Sequence, residues 1–159
     1  MDSTSTKRLL IAEDDVSLRH ITSAFFTKYG FEVDQASDGI EACGLVMQNH
    51  YDAIILDIMM PGKDGIEVCK FIRTRYDVPV IFLTALGTES DIIEGYEVGA
   101  DEYVTKPFST KLLLMKVNAL INRYRGLLVK NGRITINEIV IEPFKRIVSV
   151  DGERLDISP

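Results

Sequence analysis

The chain has 159 residues, an apolar share of 46% and a formal net charge of −6, enough for one full domain and part of another. No apolar run approaches the roughly 18 residues a membrane helix needs, and the polar start Met1–Arg8 lacks the apolar stretch of a signal peptide, so a cytoplasmic protein is expected. Residues 126–159 hold five basic and five acidic side chains, which leaves the whole −6 on the first 125 residues; that acidic part repels DNA and excludes nucleic-acid binding through its own surface.

The first 125 residues alternate strand and helix five times. Leu9–Ala12 is a strand. A helix follows from Val16 to Tyr29, capped by Asp15, with Leu18, Ile21 and Phe25 on one face and Gly30 at its end. Phe31–Ala36 is the second strand, and a helix capped by Asp38 runs from Gly39 to Asn49. Ala53–Leu56 is the third strand, followed by a helix over Gly65–Arg75. Pro79 opens the fourth strand, Val80–Leu83, and a helix spans Glu89–Val98 before Gly99. Glu102–Val104 is the fifth strand, and the last helix covers Thr110–Arg125. Alternation of this kind implies right-handed crossovers and helices on both faces of a parallel sheet. Cys43 and Cys69 fall inside helices without metal-ligand spacing and read as reduced packing residues. His20 and His50 lie away from the strand ends and read as surface residues.

Beyond Gly126 the pattern changes. Residues 126–131 read as a linker. Residues 132–159 hold four short alternating stretches, with Asp151-Gly152 as a hairpin signal. A small antiparallel β-sheet is expected there, too small to be stable alone.

The chemistry sits at the strand ends. Glu13 and Asp14 follow the first strand, Asp57 the third, Thr84 and Ala85 the fourth, and Lys106-Pro107 the fifth. A parallel α/β sheet gathers the carboxyl ends of its strands at one edge, where ligands bind. Three acids, a hydroxyl and an ammonium suit a divalent cation and a phosphoryl group on an aspartate. Mg²⁺ takes one or two carboxylates, with water, a carbonyl and phosphate completing its octahedron. Asp14 and Asp57 suit direct ligation, Glu13 a water-mediated contact, and the Met59 carbonyl another position. Thr84 can donate to a phosphate oxygen, Ala85 leaves room, and Lys106 supplies a point charge. A cis Lys106–Pro107 bond would set the direction of the lysine. Met59 and Leu86 flank the approach of attacking water with apolar side chains.

These residues resemble the receiver domain of two-component response regulators over about residues 7–125. The motifs are Ile11-Ala12-Glu13-Asp14-Asp15, Leu56-Asp57-Ile58-Met59-Met60-Pro61 with Asp64-Gly65, Leu83-Thr84-Ala85, and Gly99-Ala100-Asp101-Glu102-Tyr103-Val104-Thr105-Lys106-Pro107-Phe108. The resemblance implies a flavodoxin-like, doubly wound five-stranded parallel sheet in the order 2-1-3-4-5. It implies phosphotransfer from a sensor histidine kinase to Asp57, with Mg²⁺ as cofactor, and Tyr103 as the aromatic that turns inward when Thr84 moves toward the phosphate. The stretch 128–159 is similar to the first β-sheet of the winged-helix effector domain in the OmpR/PhoB subfamily. That similarity implies a transcription regulator whose DNA-reading helix would follow Pro159, so this chain is expected to be a piece of a longer protein.

The same family dimerises through its fourth helix, fifth strand and fifth helix. Ile93, Tyr96 and Leu114 match the apolar patch there, and Asp101 with Lys116 one of its ion pairs. Ile92 and Leu112 stand where a basic residue and its acidic partner are usual, and Asn118 replaces a lysine opposite Glu97; loss of both members leaves no charge unpaired. Three rival functions are weighed. An aspartyl-phosphate phosphatase wants a second aspartate two residues after the nucleophile, where Met59 stands. A flavin or dinucleotide binder wants a glycine-rich first turn, where Glu13-Asp14-Asp15 stand. A receiver acting only through protein contacts would not need the residual winged-helix sheet.

Overall fold

The computed structural model describes residues 6–85, 93–94 and 96–131. Among the described residues, five strands alternate with helices. They are β1 (Lys7–Ala12), α1 (Val16–Lys28), β2 (Phe31–Ala36), α2 (Gly39–Gln48), β3 (Ala53–Asp57), α3 (Gly65–Arg73), β4 (Val80–Thr84), β5 (Glu102–Thr105) and α5 (Thr110–Asn131), with helical residues 93–94 and 96–97 forming α4 between β4 and β5. The strands make one parallel sheet in the order β2-β1-β3-β4-β5, as the sequence implied. The chain divides into a unit of residues 1–121 and a second of 122–159, of which 122–131 continue α5.

Side chains alternate across a strand, so each central strand feeds two cores. Leu10, Ala12, Ile54, Leu56, Val80 and Phe82 face α2 and α3, where Ala42, Val46, Val68, Cys69 and Ile72 meet them. Leu9, Ile11, Ile55, Ile81 and Leu83 face α1 and α5, meeting Phe26, Leu113, Val117 and Ile121. Strands β3 and β4 are buried along their whole length, which is why they read as unbroken apolar runs. Both cysteines are free and buried.

Asp15 and Asp38 cap as expected, accepting from Leu18 N at 3.0 Å and from Glu41 N at 2.8 Å, and Asp64, not singled out from sequence, forms a capping box with Glu67. The buried residues of α1 are Thr22, Ser23 and Phe26, with Leu18 and Phe25 half-buried and Ile21 62% exposed. One boundary needs correction: the last helix, expected to end at Arg125, runs through Gly126 to Asn131. One glycine costs a helix interior about 1 kcal/mol relative to alanine, too little to end it. The expected antiparallel sheet falls on residues 132–159, outside the described residues, as do Ile92 and Leu86.

Candidate functional site

The carboxyl ends of β1, β3, β4 and β5 meet at one edge of the sheet and bring the expected residues together. Glu13 and Asp57 are 1% and 3% exposed, whereas Asp14 is exposed. One carboxylate oxygen from each of Glu13, Asp14 and Asp57 lies within 4.8 Å of the others. Lys106 Nζ stands 2.6 Å from Asp57 Oδ2 and 2.7 Å from Glu13 Oε1. The other oxygen of Asp57 accepts from Met59 N at 2.9 Å.

The loops are fixed by backbone contacts. Gly65 N donates to Ile58 O at 2.9 Å, and a Cβ at Gly65 would lie 2.5 Å from Asp57 O, so only glycine lets α3 start this close to the acid. Lys106 N donates to Thr84 O at 2.8 Å, which ties the lysine's strand end to β4; the Lys106–Pro107 bond is cis. Thr84 is buried and Ala85 beside it is exposed.

Charge explains the titration of the site. Burial, with Asp57 next to it, pushes Glu13 up to about 7 against the pull of Lys106. Burial lowers Lys106, but the hydrogen bonds and charges of Asp57 and Glu13 outweigh it and the ammonium ends above its ordinary value. Three carboxylates against one ammonium leave the pocket with excess negative charge. All three donors are hard oxygens, a set that fits a divalent cation such as Mg²⁺.

On the face of α4, β5 and α5, Ile93, Tyr96 and Leu112 are 48%, 47% and 54% exposed, and Leu114 is half-buried. Met115, 59% exposed, joins them on α5 and was not singled out from sequence. Tyr103 is half-buried, with its ring 5.8 Å from Phe82 and 5.9 Å from Tyr96. Within the chain, Asp101 Oδ2 accepts from Arg73 at 2.8 Å and from Val80 N at 2.9 Å, and Lys116 Nζ reaches Glu102 Oε2 at 3.1 Å. Sequence reasoning also missed Arg73 and Arg19, whose acceptors include backbone carbonyls that leave no residue pattern. His20 and His50 are exposed, away from this edge.

Residues 9–118 match the model of the response regulator receiver domain. The uncharacterised transcriptional regulatory protein YclJ of Bacillus subtilis (strain 168) is 44% identical over 135 residues, covering 85% of this chain and 58% of that protein. The transcriptional regulatory protein ResD of the same organism is 33% identical over 165 residues, covering 100% of this chain and 69% of that protein. The chain thus spans about three fifths of the length of the curated relatives it matches. Among solved structures, the receiver domain of the Francisella response regulator 1452 superposes with a TM-score of 0.71 at 39% identity, over 74% of this chain and 98% of that one. The response regulator TrrA of Thermotoga maritima, solved in complex with Mg²⁺-BeF, superposes with a TM-score of 0.65 at 36% identity, over 72% and 98% of the two chains. No helix among the described residues is long and apolar enough to cross a membrane. With its sheet order, its strand-end acids and the span of the family match, the chain belongs to the response regulator receiver domain family of two-component systems.

Proposed function

We propose that Asp57 accepts a phosphoryl group from a sensor histidine kinase, with Mg²⁺ held by Asp14, Asp57 and the Met59 carbonyl, and by Glu13 through water. The observation that carries this is the buried Asp57 carboxylate, 2.6 Å from Lys106 Nζ and grouped with two further acids. An oxygen of Asp57 attacks phosphorus, the nitrogen–phosphorus bond of the phosphohistidine breaks, and the imidazole nitrogen leaves with the electron pair. Bound Mg²⁺ neutralises charge on the carboxylates and the phosphoryl oxygens. Lys106 supplies a positive charge to a phosphoryl oxygen. Thr84 donates its hydroxyl to another, and exposed Ala85 leaves the approach open. Movement of the Thr84 hydroxyl makes room for Tyr103 to turn inward. Turnover of an external substrate is disfavoured, since Met59 offers no general acid where that chemistry needs one.

The signal then passes to the face of α4, β5 and α5. Ile93, Tyr96, Asp101, Leu112, Leu114 and Lys116 support dimerisation there, with Ile92 from outside the described residues. The names of the relatives support a transcription regulator; the OmpR/PhoB type rests on the similarity of residues 128–159, with promoter DNA bound by parts of the complete protein beyond this stretch. The test is incubation with acetyl phosphate with and without Mg²⁺, followed by intact mass. One added phosphate that requires Mg²⁺ and is lost in Asp57→Ala supports the reading; a stable phosphate in that variant refutes it.

A further inference from the structure

Asp14 is the exposed member of the acidic cluster, and its carboxylate takes no hydrogen bond from the described residues. No side chain among the described residues aims it, so its placement at the pocket depends on where the backbone puts its Cα. That backbone is held from one side chain outside the pocket. Arg19, one turn into α1, folds back so that one terminal guanidinium nitrogen donates to Glu13 O at 2.7 Å and Nε donates to Gln35 Oε1 at 3.2 Å. Glu13 N is already bound to Ala36 O at 3.0 Å, and Glu13 Oε2 accepts from Asp15 N at 3.0 Å. The peptide is planar, so anchoring the Glu13 carbonyl fixes the plane that also carries Asp14 N and fixes the position of its Cα. Arg19 forms no ion pair with a described carboxylate; its short charge-assisted bond goes to a backbone oxygen instead. A helix dipole or a cap needs no such bond, because Asp15 already caps α1.

We propose that Arg19 is a positioning residue for the metal site: it acts through the Glu13–Asp14 peptide to aim Asp14 at the cation, with Gln35 bracing the guanidinium. The proposal rests on the reading of the acidic pocket as an Mg²⁺ site. Residues that orient ligands from behind change metal affinity by about 10–100-fold when removed.

The experiment is calorimetric titration of the full chain with Mg²⁺ alone, beside thermal unfolding without the ion, for the parent, Arg19→Ala, Arg19→Lys and Gln35→Leu. Arg19→Ala should weaken Mg²⁺ about ten-fold. Arg19→Lys should recover part of the loss, since an ammonium can reach one acceptor but cannot bridge two. Gln35→Leu should fall between parent and Arg19→Ala. A purely structural role would lower the unfolding temperature and leave the dissociation constant alone. Arg19→Ala that binds Mg²⁺ as the parent does, or more tightly through loss of a repelling charge, overturns the inference. If Arg19→Ala does not fold, unchanged affinity in both Arg19→Lys and Gln35→Leu overturns it. A parent that does not bind Mg²⁺ overturns the reading of the pocket itself, and the inference with it.

Discussion

The excess negative charge of the pocket should appear as a pH dependence of stability in the metal-free protein. Glu13, 1% exposed, is pushed from 4.5 to about 7, first by burial and then by Asp57. A group whose folded value is raised binds a proton more readily when folded. Its stabilising contribution is therefore present below 4.5 and is lost as pH rises through about 7. Between pH 8 and pH 5.5 the linkage amounts to about 2 kcal/mol of added stability, because a tenfold change in proton affinity corresponds to about 1.4 kcal/mol. Urea unfolding followed by circular dichroism, in chelator, measures this directly. Glu13→Gln should flatten the slope and stabilise the metal-free protein at pH 8, while weakening Mg²⁺ binding. Saturating Mg²⁺ should abolish the slope in the parent, because the cation takes the place of the proton. A parent whose stability is flat between pH 8 and pH 5.5, or a Glu13→Gln variant with the same slope, would refute the argument.

Three further outcomes follow from particular contacts. Arg73 donates to Gly99 O at 2.9 Å, Val78 O at 2.6 Å and Asp101 Oδ2 at 2.8 Å, so Arg73→Ala should cost about 2–3 kcal/mol in urea unfolding; a loss below about 0.5 kcal/mol would show that water replaces all three bonds. Leu112→Glu should weaken dimerisation of the phosphorylated protein in sedimentation while leaving Asp57 phosphorylation intact, and the parent dimer should depend little on salt because an apolar pair stands where an ion pair is usual; a dimer that dissociates steeply with salt argues for another interface. Met59, 72% exposed beside Asp57, offers attacking water no hydrogen bond. Met59→Asn should therefore shorten the lifetime of the phosphoryl group, and an unchanged hydrolysis rate would remove that explanation.

The strand ends were the legible part of this sequence. A parallel sheet puts them at one edge, so Glu13, Asp14, Asp57, Thr84 and Lys106 could be grouped before any coordinates. Asp15 and Asp38 announced two helix starts by capping chemistry. What could not be read depended on rotation and reach. The spacing of Leu18, Ile21 and Phe25 puts them on one face of α1, but it is Thr22, Ser23 and Phe26 that are buried, which depends on the rotation of the helix. Arg125 and Leu127, on either side of Gly126, held no sign that α5 would outlast its glycine. Arg19 bonds a backbone carbonyl six residues back, a contact with no signature in residue types.

The central claim is that Asp57 is the phosphoacceptor. Borohydride reduction of the phosphorylated protein converts an aspartyl phosphate to homoserine, and peptide mass mapping then locates it. The account predicts one such conversion, at Asp57, only after treatment with a phosphoryl donor and Mg²⁺. Conversion at Glu13 or Asp14, or a phosphate on the chain that borohydride leaves untouched, would contradict it.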